Sequence, residues 1–299
     1  MKVFKNILRI GGASLCASAF LQGCSQVLLF DPKGPIGAAE RYVIIAAFAL
    51  MLIVVIPVAV MTLWFPWKYR ASNPKATYAP NWSRSGWIEA VVWIVPAIIV
   101  TLLGVLVWTH TFRLDPYKPL ETDVAPVRIQ AVSLDWKWLF IYPDQDMAVV
   151  DQMVFPANVP LDFRITSDTV MTSFFIPQLG SQIYAMAGMQ TRLHLMADAP
   201  GTYAGQNQQF SGRGYADMNF NAVATSRQAF DAWVRKVKQS PDRLDLARYA
   251  DIRKPGIGYH PEHFSAVEPD LFEHILRKYD KAEGLPESAP GKAAPLEER

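Results

Sequence analysis

Cysteine is nearly absent from this chain. There are two, Cys16 and Cys24, both in the first tenth of 299 residues. That excludes a scaffold held by disulfides, and it excludes any cysteine-based metal site in residues 25–299. Charge is sparse too: 19% of residues are charged against 51% hydrophobic, which is too apolar for a disordered chain. A net charge of +2 leaves no broad basic footprint for DNA or RNA, so no nucleic-acid partner is expected. No Ser/His/Asp or Cys/His arrangement stands out, nor any phosphate-cradling glycine loop. What is present divides unevenly. The first 108 residues are nearly all membrane material, and the rest reads as a soluble domain.

Residues 1–23 have the form of a lipoprotein signal peptide. Lys2, Lys5 and Arg9 make a positive start, Ile10 to Phe20 a short apolar stretch, and Leu21-Gln22-Gly23-Cys24 closes it. The tetrapeptide resembles the bacterial lipobox, in which the thiol is diacylated, so Cys24 is the expected lipidation site. The plainer alternative is an uncleaved anchor with an incidental cysteine. Residues 24–41 follow as an external segment. Tyr42 to Phe65 is a run of 24 residues without a charge, and Trp87 to Trp108 is a second run holding one acid, Glu89. At about 1.5 Å per residue, each is long enough to span a bilayer as a helix. Tyr42, Trp64, Trp67, Trp82, Trp87 and Trp108 gather at the ends, where interfacial aromatics belong. The loop 66–86 carries Lys68, Arg70, Lys75 and Arg84 and no acid, which places it in the cytoplasm. Both termini and the soluble domain are then expected on the outer face of a bacterial inner membrane.

Beyond residue 110 the pattern shortens to period two, at 127–134, 161–166, 190–196 and 218–223, with Pro and Gly between. Strands this short argue for an antiparallel β-sandwich or barrel over 109–225. After Ser226 the texture is helical: Phe230, Trp233, Val234 and Val237 share one face. A second helix is expected over Asp270 to Tyr279, capped by Pro269-Asp270, within a helical extension spanning 226–283. Residues 284–299 are expected to be disordered.

Few side chains suggest chemistry. Glu89 lies within one turn of the cytoplasmic end of its span. It is either an interfacial carboxylate reaching to Arg84 or an intramembrane acid that takes up protons. His194 alternates with leucines and is expected on a solvated strand face. His260 and His263 make a weak metal pair without a third ligand. Met171, Met186, Met189 and Met218 read as core fillers. Trp136 and Trp138 place two aromatics on one strand face, which reads as packing.

The layout of lipobox, two spans, external β-domain and helical extension resembles subunit II of the haem–copper respiratory oxidases. The motifs that carry the resemblance are Glu89-Ala-Val-Val-Trp93-Ile-Val-Pro96, Asp135-Trp-Lys-Trp138, Ser173-Phe-Phe-Ile-Pro177-Gln-Leu-Gly180 and Pro200-Gly201-Thr-Tyr-Ala-Gly205. Together they cover roughly residues 20–280. The resemblance implies a cupredoxin-like Greek-key sandwich. Cytochrome c-oxidising members hold a binuclear copper centre there, built on two bridging thiolates, two histidines, a methionine and a backbone carbonyl. The positions matching those ligands are Thr172 and Tyr215 for the histidines, Asn207 and Ser211 for the cysteines, and Gln209 for the carbonyl. Met218 alone keeps its ligand type.

Lost copper ligands inside kept motifs mark the quinol-oxidising branch, which the sequence resembles most. The resemblance then implies no metal or other cofactor on this chain and no cytochrome c partner. Haem b, haem o (or a) and one copper are expected in subunit I, the main partner, alongside subunits III and IV, with ubiquinol as the substrate of the complex. It also implies that Glu89 opens a proton-uptake path into subunit I. Two other readings stand beside this one: a copper-bearing cytochrome c oxidase subunit, which the lost ligands oppose, and a lipid-anchored binding or sensing module. A cytoplasmic loop of some 21 residues is too short for a signalling output domain.

Overall fold

The computed structural model describes residues 28–77, 79, 81–258 and 260–280. Cys24, the signal segment and the tail after 280 lie outside the described residues. Two long helices come first, α1 (Pro35–Lys68) and α2 (Gly86–Arg113), each long and apolar enough to cross a membrane. Both outrun the expected spans of 42–65 and 87–108. Hydropathy marks only the stretch immersed in hydrocarbon, whereas the backbone ladder continues as long as each N–H finds its carbonyl. Helix α1 therefore begins inside the expected external segment, where Pro35 occupies the first helical position and needs no N–H partner. Within the spans Thr62 and Thr101 donate to the carbonyls of Val58 and Ala97, both at 2.8 Å, so the hydroxyls carry no unmet bond into the lipid.

The soluble part is the expected cupredoxin-like sandwich, though mixed rather than purely antiparallel. Its strands are β1 (Val127–Leu134), β2 (Lys137–Tyr142), β3 (Met147–Val150), β4 (Gln152–Pro156), β5 (Leu161–Ser167), β6 (Thr172–Phe174), β7 (Ile183–Ala185), β8 (Thr191–Leu195), β9 (Gly201–Gln206), β10 (Asn219–Thr225) and β11 (His263–Phe264). One sheet runs β11-β3-β2-β1-β5-β8, with β1 parallel to β5; the facing layer is β4-β10-β9, with β10 parallel to β4, and the β6–β7 ribbon. Between the layers Trp138, Phe140, Phe174 and Phe220 meet ring to ring at centroid distances of 5.0–6.5 Å.

The larger sheet is buried on both faces across β3, β2 and the end of β1. Strand β2 has no exposed residue: Trp138, Phe140 and Tyr142 point inward, while Leu139 and Ile141 pack outward on a second core with Val132, Tyr249, Ile252 and Phe272. The C-terminal extension supplies that cover. It comprises α3 (Arg227–Val237), α4 (Leu246–Ile252), the short strand β11 and α5 (Leu271–Asp280). Ser226 caps α3 by accepting the Ala229 N–H at 3.2 Å, and Asp245 caps α4 by accepting the Arg248 N–H at 2.7 Å. The expected cap at Asp270 takes another form. Asp270 sits at φ 57°, and it is its carbonyl that accepts the His274 N–H.

Polar ties fix the extension. The Lys137 ammonium, which burial pushes below its ordinary value, donates to the carbonyls of Ile252 and Lys254, both at 2.9 Å. Asp168, at the end of β5 with its side chain fully buried, collects Tyr249 OH at 2.7 Å, Tyr279 OH at 3.0 Å, the Lys278 ammonium and, at 3.3 Å, Arg253. Burial and this carboxylate push Tyr279 up to about 12 and Tyr249 higher still.

Helix α1 is seated on the sandwich. The Gly37 N–H donates to the Leu179 carbonyl at 3.0 Å and the Lys33 N–H to the Gln178 carbonyl at 2.7 Å, while Gly34 lies against the Met196 carbonyl where a Cβ has no room.

Candidate functional site

The positions matched to copper ligands lie in the chain between β9 and β10 and on β6. Asn207, 5% exposed, is the hub. Its Oδ1 accepts from the backbone N–H groups of Ser173 and Gln209, both at 2.9 Å, and the Ser173 hydroxyl lies 3.3 Å away. Its Nδ2 donates to the Gln209 carbonyl at 2.8 Å and to the Ser211 hydroxyl at 3.2 Å. Every donor and acceptor of that amide is therefore occupied from within the protein. The Asn207 N–H donates to the Met218 carbonyl at 3.2 Å, and the Met218 side chain lies in the inner core.

Two positions turn away. The Thr172 hydroxyl donates to Ser133 Oγ at 2.7 Å, tying β6 to β1. Tyr215 opens a 3₁₀ turn, with its ring edge-on to that of Phe210 at 5.4 Å. The structure thus gathers Asn207, Gln209 and Ser211, backs them with Met218, and leaves Thr172 and Tyr215 to other partners.

Two further residues, Ser173 and Trp136, complete this corner. Ser173 binds the loop a second time, accepting the Gln208 N–H at 2.7 Å. Trp136 does not share a strand face with Trp138; it occupies the two-residue β1–β2 turn at φ 65°, a conformation that a bulky residue adopts only when held. Its indole N–H donates to the Ser211 carbonyl at 2.9 Å, and a Cβ on Gly214 would stand 2.5 Å from the ring. The pair Gly212 and Gly214 was the available signal, since two glycines so close mark a close approach.

Apart from the Met218 thioether, amide, hydroxyl and phenol groups make up the donor set. It does not fit a binuclear copper centre, whose two ions share an electron through soft thiolate bridges. Among the described residues, no group of three or more His, Cys, Asp or Glu is placed to hold a metal.

Elsewhere the structure corrects several expectations. His194 is 8% exposed rather than solvated. Its Nδ1 donates to the Pro116 carbonyl at 3.0 Å and its Nε2 lies 3.4 Å from Asp162, because the segment after α2 folds back over β8. Met218 is a core residue, but Met171 and Met189 are exposed and Met186 is half-buried, since all three stand in loops at the sandwich end. His260 is exposed, while His263 lies half-buried on β11, where burial lowers its pKa. Glu89 sits exposed in the first turn of α2, its own N–H bonded to the Ser85 carbonyl at 2.9 Å. Among the described residues its carboxylate has no ion-pair partner, Arg84 included.

Two family models match the chain: the periplasmic domain of cytochrome c oxidase subunit II at residues 108–225, and the COX aromatic-rich motif at 238–281. Cytochrome bo(3) ubiquinol oxidase subunit 2 of Pseudomonas aeruginosa is 55% identical over 267 residues, spanning 89% of this chain and 80% of that protein. The chain belongs to the ubiquinol oxidase subunit 2 family. Ubiquinol oxidase subunit 2 of Acetobacter aceti is 48% identical over 282 residues, spanning 93% of this chain and 90% of that one. A solved periplasmic domain of cytochrome oxidase subunit II from Bradyrhizobium japonicum aligns at a TM-score of 0.37 and 22% identity, over 40% of this chain and 96% of that domain. In this chain, the first matched region is the end of α2 with the sandwich. The aromatic-rich motif is the covering layer: Tyr249, Phe264 and Phe272 enter the second core, and Tyr279 binds Asp168. Two apolar helices and the matched periplasmic domain make it an inner-membrane protein.

Proposed function

We propose that this chain is the copper-free subunit II of a proton-pumping terminal oxidase that takes electrons from ubiquinol and reduces oxygen to water. The observation that carries the reading is the Asn207 hub. At a position where copper-bearing relatives need a bridging thiolate, an amide spends all its hydrogen bonds holding the loop closed. The sandwich then serves as structure, supporting assembly with subunit I, which carries haem b, haem o (or a) and one copper, and with subunits III and IV. Electrons from a lipid-soluble donor reach subunit I within the membrane, so no cytochrome c docks here and no redox step belongs to this chain.

Two residues complete the proposal. Glu89, exposed at the cytoplasmic end of α2 without an ion-pair partner among the described residues, takes up protons and passes them toward subunit I. A carboxylate suits that task, because it can bind a proton and release it again. Cys24 carries the lipid anchor, with the soluble domain and both termini on the periplasmic face.

Oxygen uptake by the purified complex tests the reading. A ubiquinol analogue should support uptake, and reduced cytochrome c should not; uptake with cytochrome c would overturn it. Glu89→Gln should slow oxygen reduction without blocking assembly. Unchanged turnover and proton uptake in that variant would sink the role given to Glu89.

A further inference from the structure

Where the outer ends of α1 and α2 meet the sandwich they enclose a groove of about 790 Å3, a volume typical of small-molecule sites. Its apolar walls are Leu29 before α1, Val43 and Ile44 on α1, Val107 and Phe112 on α2, and Phe175 just after β6. Ile44, Val107 and Phe112 are exposed there, and apolar walls left open in this way mark a place that a further apolar group covers. The chain itself arrives at this groove. Leu28–Phe30 form a 3₁₀ turn, and the residues around it are held from two sides. The Arg41 guanidinium donates to the Phe30 carbonyl at 3.3 Å, and the Gln178 side-chain amide to the Asp31 carbonyl at 3.3 Å. Cys24 stands five residues before Leu29, so even a fully extended chain keeps it within about 18 Å of the groove wall.

Charge and connection narrow the occupant. Among the described residues lining the groove there is no Lys or Arg, while Glu40 and Asp115 supply carboxylates, so a phosphate entering it would meet like charge and no cation. An acyl chain carried by a cysteine brings no charge with it. Its tether also confines it to this edge of the protein, whereas a free lipid must give up its own movement to stay. We propose that an acyl chain of the lipidated Cys24 lies in this groove. Docked there, it touches the segment before α1, both spans and the sandwich, and so braces the soluble domain on its membrane helices. Anchorage alone needs no such chain, since two spanning helices already hold the protein in the bilayer. The inference rests on the reading of Cys24 as the lipid-bearing residue and gives that lipid a place and a task.

The test uses the whole wild-type oxidase, purified in lipid nanodiscs from cells fed a diazirine-bearing fatty acid that enters both the phospholipids and the acyl groups of Cys24. Illumination followed by peptide mapping separates the two sources. A phospholipid leaves its mass on a single peptide, whereas the anchor's own chain joins the Cys24 peptide to another. Links from the Cys24 peptide to segments 40–44 and 107–115 are expected. Ile44→Trp, which puts an indole into the groove, should cut their yield several-fold; an unchanged yield would place the chain outside the groove. Should that variant fail to assemble, the wild-type links decide. A peptide mass showing Cys24 unmodified would overturn the lipidation reading and this inference together. Cys24 acylated, with its links absent or made only to other segments, other subunits or free lipid, would overturn the groove and leave the lipidation reading standing. Phospholipid mass on segments 40–44 and 107–115 without those links would give the groove to a membrane lipid, and would overturn the proposal too.

Discussion

Asp168→Ala should free the C-terminal cover from the sheet while leaving the sandwich folded. The substitution removes a fully buried carboxylate that takes Tyr249 OH, Tyr279 OH, Lys278 and Arg253 from two helices. The partners do not lose equally. The side chains of Lys278 and Arg253 are 34% and 43% exposed and return to water at small cost, so their two charge-assisted bonds count for about 1 kcal/mol together. Tyr249 is 6% exposed and its hydroxyl has no water to turn to, which costs about 1–3 kcal/mol. The sum is about 3 kcal/mol, roughly a hundredfold in the opening equilibrium. Hydrogen exchange on the purified complex reads it directly. Amides of α4 and α5 should exchange about a hundredfold faster in the variant, with those of β1 and β2 unchanged. Asp168→Asn, which keeps an acceptor for the tyrosines, should show a smaller effect. Exchange in α4 and α5 within threefold of wild type for Asp168→Ala would refute the ledger.

Burial pushes Asp151 up to about 7, against the stabilising Trp138 N–H at 2.7 Å and nearby Lys137. Between about pH 4 and pH 7 the folded chain keeps a proton that the unfolded chain has lost, so stability falls as pH rises through that window. Asp151→Asn keeps the acceptor and tolerates φ 53°, and should raise stability by about 2 kcal/mol at pH 8 but little at pH 4. Denaturant midpoints at the two pH values check this, and an equal gain at both would contradict it. Gly34→Ala should loosen the seat of α1, because its Cβ would run into the backbone carbonyl of Met196, which has no rotamer with which to yield. Limited proteolysis across residues 28–36 should be several-fold faster than in wild type; an unchanged rate would argue against a tight seat.

Much of the architecture could be read from residue patterns because its causes are local. A bilayer demands a run of about 20 apolar residues, and both spans meet that demand without help from the rest of the chain. Period-two segments located β1, β5, β8 and β10 within a residue or two, since each has one face on the inner core. Strand β2 escaped that rule: a second core lies outside it, so Leu139 and Ile141 are as buried as Trp138 and Phe140 and no alternation shows. His194 misled for a related reason, because a polar position on an alternating strand is covered by a segment nearly 80 residues earlier. The Asp168 cluster joins partners 81 to 111 positions apart. No window of sequence contains it. The copper-ligand positions were legible only through resemblance, since Asn, Ser, Gln and Tyr carry no metal signal of their own.

The two-sided burial of β3, β2 and the end of β1 sets a timetable for biogenesis. Strands β1 to β10 are complete by Thr225, yet the cover for their outer face and the partner strand for the edge of β3 arrive only between residues 244 and 280. At about 5–20 residues per second, the 55 residues from 226 to 280 take roughly 3–11 seconds to make. Throughout that interval the nascent domain presents Val132, Leu139, Ile141 and Val150 to water, together with an open strand edge. A chain halted before α5 is therefore an aggregation hazard rather than a shortened functional protein. Quality control that recognises apolar sheet faces would sort finished subunits from unfinished ones by whether α5 has closed.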